Sequence, residues 1–120
     1  MYLLPQEIEV WYVIPAIRKE LAKLLVKKHE MSYEKAGELI GVTKAAVSQY
    51  ISNKRANKLK LTEGIKKEVE KSADIIVKDN KKSVLEIQRL LRIIREKCSC
   101  EICRKFNPSI ISSCDCNCKE

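Results

Sequence analysis

Six cysteines fall within the last 23 residues, with the spacing C-x-C-x2-C-x10-C-x-C-x-C from Cys98, Cys100 and Cys103 to Cys114, Cys116 and Cys118. Thiols this dense are an oxidation liability unless they hold a metal or cycle between redox states. Three chemistries fit. An iron–sulfur cluster of the 4Fe-4S kind needs four converging thiolates, which Cys100 and Cys103 with two of the three distal cysteines would supply. Structural zinc needs the same number, and C-x2-C is a common half-site for it. However, six cysteines exceed four, and Glu101-Ile102 lacks the small residues of a zinc knuckle. A thiol–disulfide switch needs only two close cysteines. Iron–sulfur ligation leads, with zinc and thiol exchange as alternatives, because spacing fixes the ligand count better than the metal. Cys98 and one tail cysteine are then spare. Between the two groups Pro108 and several serines interrupt any helical period, so 98–120 is expected to be a short irregular segment folding back on itself.

The second stretch with chemical potential is Met31–Asn57, MSYEKAGELIGVTKAAVSQYISNKRAN. Ser32 caps a helix through Ile40, with Ala36, Leu39 and Ile40 facing inward. Gly41 supplies the positive φ of a tight turn, Val42 plugs the angle, and Thr43 caps a second helix. Along that helix Val47, Tyr50 and Ile51 point to the core, which turns Lys44, Ala45, Ser48, Gln49 and Ser52 outward. A Gln matches adenine N6/N7, a Lys matches guanine O6/N7, and an Ala or Thr methyl meets the thymine methyl. Lys44, Lys54, Arg55, Lys58 and Lys60 follow without one acidic residue before Thr62, as on a surface that meets phosphates.

These groups must be positioned by helices. Pro5 opens one, with Ile8, Trp11 and Tyr12 at helical spacing, and Pro15 is expected to end or kink it. Ile17, Leu21, Leu24 and Leu25 then give a core-facing helix to about Lys28, with His29 at its end in a structural role. Thr62 caps a helix with apolar positions Ile65, Val69, Ala73, Ile76 and Val77. The sequence DNKK at 79–82 breaks it. Ser83 and Glu86 form a capping-box signature for a last helix, Val84–Lys97. That helix carries Val84, Ile87, Leu91 and Ile94 on one stripe and Leu85, Leu90 and Ile93 on another, an apolar surface wide enough for two partners. One partner is the domain itself and the other is a second copy of the chain.

The segment GELIGVTKAAVSQYISNKR resembles the helix-turn-helix of Cro/repressor (Xre-type) regulators, with Gly37 at the small-residue position, Gly41 in the turn and Val47 as anchor. Upstream, LPQEIEVWYVIPAIRKELAKLLVKKH is similar to the opening of short archaeal regulators of this type. About half the chain is covered. The resemblance implies an all-α, repressor-type bundle of about five helices, with Thr43, Lys44, Ala45, Ser48 and Gln49 on bases and Asn53, Lys54 and Arg55 mainly on the backbone of double-stranded DNA. Such regulators often carry a C-x2-C followed by further cysteines, which favours a bound metal centre.

Composition bounds the rest. A chain of 120 residues, 45% of them apolar, buries one modest core and excludes two large domains. The expected organisation is a DNA-binding domain over 1–78, a linking or dimerisation helix over 79–97 and the cysteine motif over 98–120. A net charge of +8 suits a polyanion. Glu7 and Glu9 within the apolar start argue against a signal peptide, and no stretch is long enough for a membrane span. The expected setting is the cytoplasm, with reduced or metal-bound thiols. Neither a catalytic constellation nor a small-molecule substrate site is recognisable. The sequence therefore predicts a DNA-binding transcriptional regulator, a homodimer reading two half-sites, whose cysteine tail reports redox, oxygen or iron state.

Overall fold

The computed structural model describes residues 4–57 and 59–106, with the backbone alone for Pro5 and for 98–106. Among these the chain is all-helical, with five helices closing on one core. The first, α1, is continuous over 5–28 and alternates α-helical Pro5–Ile8 and Ile14–Lys23 with π-helical Glu9–Val13 and Leu24–Lys28. Then come α2 (Tyr33–Ile40), α3 (Lys44–Ile51), α4 (Glu63–Lys78) and α5 (Ser83–Phe106), with a 3-10 turn at Asn80–Lys82. No described helix is long and apolar enough to cross a membrane.

Pro15 neither ends nor breaks α1. A proline ring inside a helix clashes with the carbonyl four residues back and donates no N–H. The wider turn just before it relieves both problems, with the Ile14 N–H donating five residues back to the Glu9 carbonyl. The helix stops where expected, at Lys28. There the Met31 N–H donates to Leu25 O at 3.0 Å across Glu30, whose φ of 57° is left-handed.

The core is the sum of the inward stripes. Ile17, Leu21 and Leu25 of α1, Ala36 and Ile40 of α2, Val47 and Tyr50 of α3, Ile65, Val69 and Ile76 of α4 and Leu90, Leu91 and Ile94 of α5 are all buried. Two ends depart from the expected pattern. Val77 is 36% exposed while the adjacent Ile76 is fully buried, so the inward stripe of α4 ends on Ile76. Both stripes of α5 pack within the same chain, leaving only Val84 and Leu85 outside at 66% exposure each.

The expected capping box is absent. Ser83 already has helical φ and ψ, and it is Asp79 that accepts from the Lys81 N–H at 3.1 Å. Glu86 is drawn instead into the α4–α5 interface. Its Oε1 accepts from the buried Ser72 hydroxyl at 2.9 Å and from Arg89 Nε at 3.0 Å. Arg89 also donates to Ser72 Oγ at 2.8 Å and to the Glu68 carbonyl at 3.4 Å. Across the molecule Arg95 Nε meets both Glu9 carboxylate oxygens, at 2.8 and 3.1 Å, fastening α5 to α1. His29 Nε2 lies 3.1 Å from Asp74 Oδ1 of α4, in keeping with its structural role.

Candidate nucleic-acid interface and cysteine segment

The two helices of the motif are joined by local capping and turn contacts. Ser32 Oγ accepts from the Lys35 N–H and Thr43 Oγ1 from the Ala46 N–H, each at 3.1 Å, so both N-caps fall where expected. The N–H groups of Gly41 and Val42 both donate to Gly37 O at 2.9 Å, and Gly41 takes a φ of 79°. That bond pair folds the turn so closely over α2 that a Cβ on Gly37 would stand 2.6 Å from the Val42 carbonyl oxygen. Arg18 of α1 completes the corner by donating from Nε to Ile40 O at 3.1 Å.

With Ala46, Val47 and Tyr50 buried, α3 is fixed by its inner face. The opposite face exposes Thr43, Lys44, Ala45, Ser48 and Ser52, while Gln49 is half-buried. Beyond the helix Asn53, Lys54 and Arg55 are exposed on a tight turn closed by the Lys54 N–H to Gln49 O bond at 2.8 Å. All eight expected contact residues therefore lie on α3 and its two flanks. Asn53 and Ala56 adopt left-handed φ values of 60° and 62°. Asn tolerates this conformation and Ala does so at a cost, so the turn is held by its surroundings. Part of that hold is Asn57, whose side-chain amide donates to Asn53 O and whose Oδ1 accepts from Lys19 Nζ of α1 at 2.7 Å.

Lys19 and Asn57 were not among the expected residues. They belong to a cleft of about 480 Å³ between α1, the strap of residues 53–57 and 59–61 and the start of α4, also lined by Lys23, Lys60 and Lys66. Burial, then Lys23 and Lys60, lower the Lys19 pKa below its ordinary value, while Glu20 partly offsets them. The spacing of Lys19 and Lys23 puts them on one helix face. No comparable local signal brings Lys60 and Lys66 opposite.

The cysteine segment begins differently from expectation. Instead of an irregular segment from Cys98, α5 continues to Phe106, so Cys98, Cys100 and Cys103 stand on helical backbone. Glu101, Arg104 and Lys105 favour helix, and the first strong stop is Pro108, which biases the preceding Asn107 away from it. At about 100° per residue, Cys100 and Cys103 fall about 60° apart on one face, with Cys98 well round the helix from both. Cys114, Cys116 and Cys118, expected to complete the set, lie outside the described residues. The chain matches no family model, no curated protein and no solved structure.

Proposed function

We propose that the protein is a sequence-specific, double-stranded DNA-binding transcriptional regulator, not an enzyme, working in the cytoplasm. The observation that carries this is the two-sidedness of α3. A buried face of Ala46, Val47 and Tyr50 seats the helix on the core, and an exposed face offers Lys44, Ala45 and Ser48 beside a basic turn. A helix so mounted can enter a major groove with its readers fixed, while Lys54 and Arg55 supply salt-sensitive affinity without sequence information. Selection from a random duplex pool should return a consensus. Gln49→Ala or Lys44→Ala should then cost ~1–3 kcal/mol against the base each one reads. A pool without consensus, or binding that ignores salt, sinks the proposal and favours a protein-interaction module instead.

The same proposal assigns the cysteines an iron–sulfur cluster, with zinc or a thiol–disulfide switch as the rivals. Such a cluster would supply one-electron redox chemistry and sensitivity to oxygen or iron. Cys100 and Cys103 would hold one side of it, and α5 would carry its presence back to the core. Anaerobically purified protein should show a broad visible absorption band and bound iron and sulfide. A colourless protein containing zinc would select the structural alternative. If the tail regulates, the metal-loaded and stripped forms should differ about 5–150-fold in operator affinity. Equal affinities would leave the metal a structural part only.

A homodimer would match a two-fold operator with half-sites ~34 Å apart. Since most of α5 is consumed within the chain, its apolar contact would centre on Val77, Val84 and Leu85. Sedimentation at micromolar concentration, giving only monomer with one chain per site, would remove the dimer from the proposal.

A further inference from the structure

The lysine-lined cleft behind α3 has a composition that the DNA-reading face does not explain. Lys19 and Lys23 project from α1, Lys60 from the strap and Lys66 from the first turns of α4, and Glu20 is the one carboxylate lining it. Among the described residues none of these four ammonium groups makes an ion pair, although carboxylates elsewhere are readily used, as by Arg89 and Arg95. Three of them, Lys19, Lys23 and Lys66, are half-buried. Partly desolvated like charges repel more strongly than exposed ones, so their convergence is unfavourable until an anion joins them. Burial first, and then Lys23 and Lys60, lower the Lys19 pKa, with Glu20 opposing them. Two amides, of Asn53 and Asn57, add polar groups to the lining. The volume of about 480 Å³ lies within the range of small-ligand sites.

We propose that this cleft is a binding site for phosphate oxyanions, with Lys19 and Lys23 on one wall and Lys60 and Lys66 on the other. Lysine binds phosphate as a point charge with three donors, and four such groups against one carboxylate match a compact polyanion. The phosphate has two possible sources, a free polyphosphate or nucleotide and the DNA backbone as it leaves α3. The first source is independent of the DNA-binding proposal and the second rests on it. Either links the cleft to the reader, because the strap that forms its rim starts at Asn53, directly after α3. A hollow of about 360 Å³ adjoins across Ala56, Asn57 and Leu59 and is lined by Trp11, Tyr12 and Tyr50. It offers aromatic surface next to the phosphate position.

The test uses the full chain, titrated calorimetrically with sodium tripolyphosphate and separately with a random-sequence duplex. It compares wild type, Lys19→Gln/Lys23→Gln, and Lys81→Gln/Lys82→Gln as a control of equal charge loss. The expected result is one tripolyphosphate per chain, weakened at least about tenfold by the Lys19/Lys23 pair and little by the control. If tripolyphosphate does not bind but the duplex is weakened about tenfold more by the Lys19/Lys23 pair than by the control, the site stands with the DNA backbone as its source. Equal losses in both variants, or none in the Lys19/Lys23 pair, overturn the site. A chain that binds no duplex at all defeats the DNA-binding proposal alone, and the tripolyphosphate titration then decides the site, absence of binding rejecting it. Circular dichroism checks folding, and Lys60→Gln/Lys66→Gln on the opposite wall replaces the first pair if that pair does not fold.

Discussion

At Gly37 a hydrogen atom stands where a methyl group would come 2.6 Å from the backbone oxygen of Val42, and the turn cannot yield without losing the two N–H bonds that Gly37 O accepts. Gly37→Ala should therefore destabilise the protein by about 1–3 kcal/mol, the usual cost of overpacking. Gly64, near the start of α4, has no neighbour within 4 Å of such a methyl. There the alanine restricts only the unfolded chain, so Gly64→Ala should stabilise by about 0.4–1 kcal/mol. Urea midpoints of the two variants, moving in opposite directions, check both. A third prediction concerns the thiols. Because Cys100 and Cys103 share a face of α5 and Cys98 does not, any metal that the proposed cysteine site holds should be retained by Cys98→Ser and lost by Cys100→Ser and Cys103→Ser, read by metal analysis of purified protein. Retention by all three would mean that the C-x2-C pair is not a ligand half-site.

At the scale of elements, the α4–α5 pair depends on one cation serving three groups, Glu86, Ser72 and Glu68. Arg89→Met leaves their polar atoms short of a donor in a partly buried seam and should cost about 1.5–3 kcal/mol. The seam also sets a pH dependence. Burial raises the Glu68 pKa, but Lys71 and Arg89 together outweigh it and hold the carboxyl below its ordinary value of 4.5. A carboxyl depressed in the folded state adds stability above its unfolded pKa and loses it as pH falls through the folded one. Urea midpoints should thus drop below about pH 4.5, and Glu68→Gln should remove part of that slope. These interactions also show where the sequence is legible. The α2–turn–α3 unit is encoded within a few residues, by Ser32, Gly41 and Thr43, so its bounds and its exposed face follow from the sequence. Ser83 and Glu86 carry an equally good local signature, yet Ser72 on the preceding helix and Arg89 one turn further along α5 claim the carboxylate. Pro15 announces a disturbance without saying that a wider turn absorbs it. The helical start of the cysteine segment is hidden because Pro108 and the serines after it point to a loop, although Glu101, Arg104 and Lys105 favour helix. Of the candidate interface, the placement of the eight proposed contact residues on α3 and its flanks is legible and the lysine cleft is not, since its walls come from three elements.

Over the whole molecule the charge is uneven, and the unevenness separates two explanations of any affinity for DNA. A net +8 attracts a polyanion wherever its lysines stand, whereas a defined interface depends on a few of them. If Lys54, Arg55 and Lys60 each meet one phosphate, log K should fall against log salt with a slope of about −3, near −0.9 for each contact. Lys54→Gln/Arg55→Gln removes two of those contacts and should shallow the slope by about 2. Lys81→Gln/Lys82→Gln removes the same charge from the exposed turn between α4 and α5 and should lower affinity slightly, leaving the slope near its wild-type value. The slope counts counterions displaced at the contact, while net charge acts at longer range through a field that physiological salt screens within ~8 Å. Fluorescence anisotropy on a single duplex across a salt series distinguishes them. Equal slopes in the two variants would mean that the basic charge of the whole surface, rather than the turn after α3, meets the DNA.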